Sequence, residues 1–195
     1  MPKFNILTTD IDKSYHLGLL PQRNQKNLFY QDSSCRSNLT DFILSSENRR
    51  ILNKTQNFTF TSLPLNQFIF NISVQKQCYL WIKSLSWNFP VSSLKTIFTN
   101  HVFNMVYIWK DENKNIIAYS ICYFSKNISH IAYVFYNNNY KNLPIRLVLQ
   151  VIIDSHQQGL KFCYLGRFSP PDVGYYKRTM PGLEYFANGD WIAYN

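Results

Sequence analysis

Three strand-like runs joined by short turns constrain this chain more than any other feature. Phe103–Trp109, Ile116–Phe124 and Ile128–Tyr136 are rich in aromatic and β-branched residues, and Asp111–Asn115 and Ser125–Asn127 between them are turn-forming. Links this short join antiparallel neighbours, so the runs form a meander. A helix follows over Pro144–Gln158: proline opens it, Gly159 stops it, and Leu147, Val148, Val151 and Ile152 face the core. Phe162–Leu165 is wholly apolar and reads as a buried strand reached by a crossover through that helix. Beyond Gly166 come the breaker Pro170–Pro171, a short helix at Val173–Arg178, and a hairpin of Leu183–Phe186 and Trp191–Tyr194 turning at Asn188–Gly189.

Upstream, residues 1–26 read as a polar, irregular segment, and Asn27–Tyr30 as a strand. Ser45 and Ser46 cap a helix over Glu47–Lys54, and Phe58–Ser62 alternates as a strand. Ser73 caps a helix over Val74–Trp87, with Val74, Cys78, Trp81, Ile82 and Leu85 on one face. Pro90 ends it, and Ser92–Phe98 is a second short helix. The expected fold is α/β (α+β), one domain over residues 27–195, with a mixed, mostly antiparallel sheet of about six or seven strands flanked by helices. The order of elements resembles that of the GCN5-related N-acetyltransferase fold.

Twenty basic against eleven acidic residues give a net charge of +9. That surplus favours a polyanion, nucleic acid first and an acidic membrane surface second. A hydrophobic share of 46% with 17% aromatics excludes a disordered or fibrous chain. The start, MPKFNILTTD, lacks a signal-peptide apolar core, and no run approaches the roughly 18 apolar residues of a membrane span. The reading is a soluble, cytoplasmic monomer without a membrane partner. Cys35, Cys78, Cys122 and Cys163 form no C-x-x-C pair, so no metal or other cofactor is expected. Cys122 and Cys163 read as core, whereas Cys35 lies in a polar stretch suited to exposure. His16, His101, His130 and His156 are scattered, which argues against a cysteine–histidine nucleophile.

Two segments resemble the protein N-end aminoacyltransferases, the family of arginyl-tRNA–protein and leucyl-tRNA–protein transferases. The first is Leu20-Pro21-Gln22-Arg23 leading to Leu28-Phe29, then the run from Cys35 to Lys54 with Arg36 and the pair Arg49-Arg50. The second comprises HIAYVFYNNNY (His130–Tyr140), GLKFCYLGRF (Gly159–Phe168) and VGYYKRTMPGLEYFANGDW (Val173–Trp191). Together they cover about two thirds of the chain in the family's order. The resemblance implies transfer of an aminoacyl group, arginine, from charged tRNA to the α-amine of a protein that begins with Asp or Glu.

Residue roles follow from that implied reaction. Tyr164 and Gly166 form a platform where substrate approaches the backbone, with Tyr176 as a third catalytic group. Arg36, Arg49, Arg50 and Lys54 grip tRNA phosphates or the acceptor's acidic side chain. Lys177, with Arg178, holds the phosphate of the terminal adenosine. Tyr133 and Tyr136, on opposite faces of one strand, bring one ring toward a cleft. Asp172, with Glu184 second, is the carboxylate chosen for an arginine donor. A plain reading competes at each position: core packing for the tyrosines, a solvated face for the cations, an ion pair with Asp41 for Arg36. Besides a tRNA-dependent peptidoglycan-type aminoacyltransferase, which needs two copies of the fold where this chain holds one, two other functions share the fold. One is an acyl-CoA-dependent N-acetyltransferase, which places a Gly-rich pyrophosphate loop where this chain has Tyr140–Arg146 without glycine. The other is a non-catalytic tRNA- or RNA-binding regulator.

Overall fold

The computed structural model describes residues 5–40, 42–168 and 175–194. In chain order its elements are β1 (Asn5–Leu7), α1 (Ile11–His16), β2 (Leu19–Pro21), β3 (Leu28–Gln31), β4 (Ser34–Asn38), α2 (Ser46–Lys54), β5 (Thr59–Pro64), α3 (Ile72–Ser84), α4 (Val91–Thr99), β6 (Met105–Lys110), β7 (Ile116–Phe124), β8 (Ile128–Tyr136), α5 (Leu143–Gln157), β9 (Phe162–Arg167), β10 (Leu183–Ala187) and β11 (Asp190–Ala193). Short 3-10 turns occupy Leu65–Gln67 and Tyr175–Thr179.

β5 to β8 form the antiparallel meander, and α5 crosses over to set β9 parallel to β8. The sheet runs β11-β10-β4-β9-β8-β7-β6-β5, and only its β8–β9 pair is parallel. This is the mixed, mostly antiparallel sheet flanked by helices expected of the acyltransferase fold.

Among the described residues the main sheet has eight strands, against the six or seven expected. The extra one, β4, lies between β9 and β10 although its sequence, Ser-Cys-Arg-Ser-Asn, is polar. Residues 5–21, expected to be irregular, instead supply β1, α1 and β2, and with β3 they make a separate three-stranded sheet in the order β1-β3-β2.

Capping sets where helices begin. Ser45 and Asn48 bond each other's backbone N–H at the start of α2, a closed capping box. α3 starts two residues early because Asn71, not Ser73, accepts from the Val74 N–H at 3.1 Å.

The sheet buries both faces. On one, Leu147, Val148, Val151 and Ile152 of α5 and Ile51 of α2 pack against Tyr107, Cys122, Ile131 and Cys163. On the other, Cys78, Trp81 and Ile82 of α3 and Leu94, Ile97 and Phe98 of α4 pack on Tyr119, Ile121 and Phe135. Tyr15, Leu19 and Phe29 continue that second layer over Ile128 and Tyr164. Cys122 and Cys163 are core as expected; Cys35 is fully buried rather than exposed.

Candidate functional site

β8 and β9 pair only from Ile128–Phe162 to His130–Tyr164 and then part. An extra residue in each strand accompanies the parting. Ile121 and Cys122 oppose Tyr133 and Ile131, so Ala132 is bulged; Cys35 and Arg36 oppose Gly166 and Tyr164, so Leu165 is bulged. A cavity of about 280 Å³ fills the wedge, lined by Leu20, Pro21, Arg23, Tyr30, His130, Ala132, Tyr133, Gly166 and Arg167. A larger cavity, about 380 Å³, lies beside Phe98, His101 and Phe103 and is lined by no Lys, Arg, Asp or Glu side chain.

His130 sits at the floor of the wedge, 3% exposed. Its Nδ1 lies 2.7 Å from the Tyr15 hydroxyl, which has no other partner among the described residues. A buried hydroxyl must donate somewhere, so the phenol donates to Nδ1 and the imidazole proton resides on Nε2. Nε2 has no partner among the described residues, exposes less than 1 Å², and faces Gly166, whose missing Cβ would stand 3.7 Å away. Gly166 has φ +78, which favours glycine. Burial, then Lys177 and His101, depresses the His130 pKa to about 3. The side chain is therefore a neutral N–H donor at physiological pH.

This burial has a consequence for stability. An unfolded histidine titrates near 6.5, so below that pH the unfolded chain takes up a proton that the folded site refuses. Stability contributed by the neutral ring is complete above about pH 6.5 and is lost toward pH 3. Urea unfolding of wild type and His130→Gln should give a stability difference that is flat between about pH 7.5 and 6.5 and then shrinks toward about pH 4.5, approaching about 1.4 kcal/mol per pH unit. A difference independent of pH would mean that His130 is not held neutral.

The wedge is cationic. Arg23 lies 4.3 Å from the Phe89 ring centroid, and its charge offsets part of the burial that pushes the Tyr133 hydroxyl up to about 12. Arg167 is largely exposed and pairs with Asp32 at 3.4 Å. Behind the strand, the buried Lys177 ammonium donates to the carbonyls of Leu165 (2.7 Å) and Arg167, on either side of Gly166. Lys177 clamps the bulged segment, so its ammonium is not available to a tRNA phosphate; burial also lowers its pKa.

The other residues selected from sequence are distributed as follows. Gly166 and Tyr133 meet at the wedge. Tyr164 is fully buried, and its hydroxyl contacts Arg36 Nη1 (3.4 Å) and His16 Nδ1 (3.2 Å). Arg36 is 7% exposed and bonds Glu184 at 2.6 Å; Glu184 also accepts from Asn38 at 2.9 Å. Arg36 and Glu184 therefore satisfy each other and leave no carboxylate there for a donor arginine. Tyr136 packs on the α5 side of the sheet with Tyr176, opposite to Tyr133. Arg49 donates to the Leu44 carbonyl and Arg50 to Glu47, both on α2 with Lys54. Arg178 lies 6.0 Å from the Tyr194 ring. Asp172 lies outside the described residues, as do Asp41 and Pro170–Pro171.

Sequence reasoning left Arg23, Tyr30, His130 and Arg167 out of the site. Arg23 and His130 were already inside the two matched segments, at the ends of HIAYVFY and LPQR. That shared position was the available signal.

No protein-family profile and no curated protein matches this sequence. Among solved structures, the C-terminal domain of an Agrobacterium fabrum protein described as a lysylphosphatidylglycerol synthetase aligns with a TM-score of 0.53 at 14% identity, over 72% of this chain and 48% of that one. L-PGS from Bacillus licheniformis aligns with a TM-score of 0.52 at 14% identity, over 74% and 48%. The chain has an acyltransferase fold. It spans about half the length of these two structures, and at this identity the likeness concerns the fold.

Proposed function

We propose that this protein transfers arginine from the 3′ end of a charged tRNA to the α-amine of a protein beginning with Asp or Glu. One observation carries the reading: a buried, neutral His130 whose Nε2–H has no partner among the described residues faces Gly166 where β8 and β9 part. The α-amine attacks the ester carbonyl, and the tetrahedral oxyanion takes a hydrogen bond from Nε2–H as the strands yield slightly around the substrate. Collapse breaks the ester C–O bond, and the departing ribose oxygen receives the proton released by the amine. A free α-amine titrates near 7.7–8.0, so a useful fraction is already neutral and no strong base is needed.

Arg23 and Arg167 at the wall of the wedge suit an anion, and we assign Arg23 to the carboxylate of the acidic acceptor residue. Arg49, Arg50 and Lys54, on exposed α2, take tRNA phosphates instead. Arginine as donor rests on the family resemblance, and Asp172 remains the carboxylate assigned to it. The Agrobacterium fabrum neighbour is named a lysylphosphatidylglycerol synthetase, which supports aminoacyl transfer on this fold.

An acyl-CoA donor suits the chain less well. At the start of α5, the Leu143 N–H is bonded to Tyr140 and Pro144 has none, which removes two of the backbone donors a pyrophosphate would use there.

The test offers radiolabelled arginyl- and leucyl-tRNA together, with peptides beginning with Asp, Glu, Lys or Ala. Arginine should appear on the Asp and Glu peptides, and Arg23→Gln should raise KM for them. Preferential leucine transfer would reverse the donor assignment, and no transfer from either tRNA would sink the reading.

A further inference from the structure

α3 is apolar on two opposite faces. Cys78, Trp81 and Ile82 point into the core. On the far side, Ile72, Lys76, Tyr79, Leu80 and Lys83 fall within a single arc of the helix at about 100° per residue. Ile72 is 69% and Leu80 63% exposed, and Ile69, just before the helix, is 78% exposed. With Tyr79 and Trp87, this stretch holds five of the ten exposed large apolar side chains among the described residues. A contiguous apolar surface left in water marks a docking surface.

Charge identifies the occupant. Residues 69–99, which hold α3 and α4, contain no Asp or Glu, whereas Lys76, Lys83 and Lys95 lie among them. We propose that the outward face of α3, with Ile69 and Trp87 at its ends, docks on an anionic lipid surface. Ile69, Ile72 and Leu80 enter the acyl boundary, Tyr79 and Trp87 lie at headgroup level, and Lys76 and Lys83 extend their stems along the apolar surface to reach lipid phosphates. RNA fits this face poorly, because bare Ile and Leu side chains gain nothing from phosphates or stacked bases. No helix among the described residues is long and apolar enough to cross a membrane, so the association is peripheral. The proposal departs from the sequence expectation of no membrane partner at this one face, and it does not depend on the transferase reading.

The whole chain is sedimented with vesicles of phosphatidylcholine alone and of phosphatidylcholine mixed equally with phosphatidylglycerol. Binding should be at least about tenfold tighter to the mixed vesicles and fall with salt. Lys76→Gln and Lys83→Gln should each weaken it about fivefold, and Ile72→Ser with Leu80→Ser should weaken it on mixed vesicles at every salt concentration. All four side chains are exposed, so the variants keep the wild-type melting temperature. Equal binding to both vesicle types, no binding, or binding indifferent to the Ile72–Leu80 pair would overturn the proposal. So would a chain dimer, or a complex with tRNA, that the same apolar pair abolishes.

Discussion

His130→Ala is expected to lower transfer at saturating charged tRNA by about 10²–10³-fold, with tRNA affinity nearly unchanged. The ring offers one preorganised N–H at the place where β8 and β9 separate, and it holds no charge that tRNA phosphates would sense. Its contribution is therefore confined to the developing oxyanion, and the loss appears in kcat. Alanine also opens a cavity beneath Tyr15, so His130→Gln is the companion variant; its amide supplies a weaker, less fixed donor and should lose less. Tyr15→Phe keeps the rings packed against Phe29 and Tyr164 but frees the Nδ1 that the phenol holds. An intermediate loss in kcat at unchanged KM would mark Tyr15 as a positioning residue. Single-turnover transfer measurements separate these outcomes. If both His130 variants turn over like wild type, the imidazole takes no part.

The parts of this molecule that were legible in sequence are those whose cause is local. β7 and β8 begin and end where turn residues and aromatic alternation place them. α5 starts within a residue of its proline, and the split of Tyr133 from Tyr136 follows from the period of a strand. β4 was missed because its polar residues are buried against partners far along the chain. Arg36 meets Glu184 across 148 residues, and Ser37 Oγ bonds the Pro181 carbonyl. Nothing within Ser-Cys-Arg-Ser-Asn announces those partners.

The site divides in the same way. Gly166 stood out because a glycine ends an apolar strand. His130 did not, since a histidine on an apolar strand resembles a core residue until Tyr15, 115 residues earlier, is placed on its Nδ1. Lys177 misled for the converse reason. Its charge suggested a phosphate, but the Leu165 and Arg167 carbonyls, exposed by a bulge that sequence does not signal, take the ammonium first.

Arg36 provides the largest expected effect on stability. Its guanidinium lies 3.6 Å from the Phe162 ring centroid and 4.1 Å from that of Trp191, and it bonds Glu184 in a setting where the two side chains are 8% and 15% exposed. Arg36→Ala removes the partner of a mostly buried carboxylate and leaves Glu184 with Asn38 alone. Breaking a buried pair from one side costs about 3–5 kcal/mol, a large share of the stability of a chain this size. Replacing both members with groups of similar size, Arg36→Met with Glu184→Gln, leaves no buried charge and should recover most of the loss. A residue that touched substrate would behave differently: Arg36→Ala would melt like wild type and raise KM. Urea unfolding of Arg36→Ala and of the double variant decides between these roles. A single-variant loss below about 1 kcal/mol, in the range of exposed pairs, would return Arg36 to the substrate.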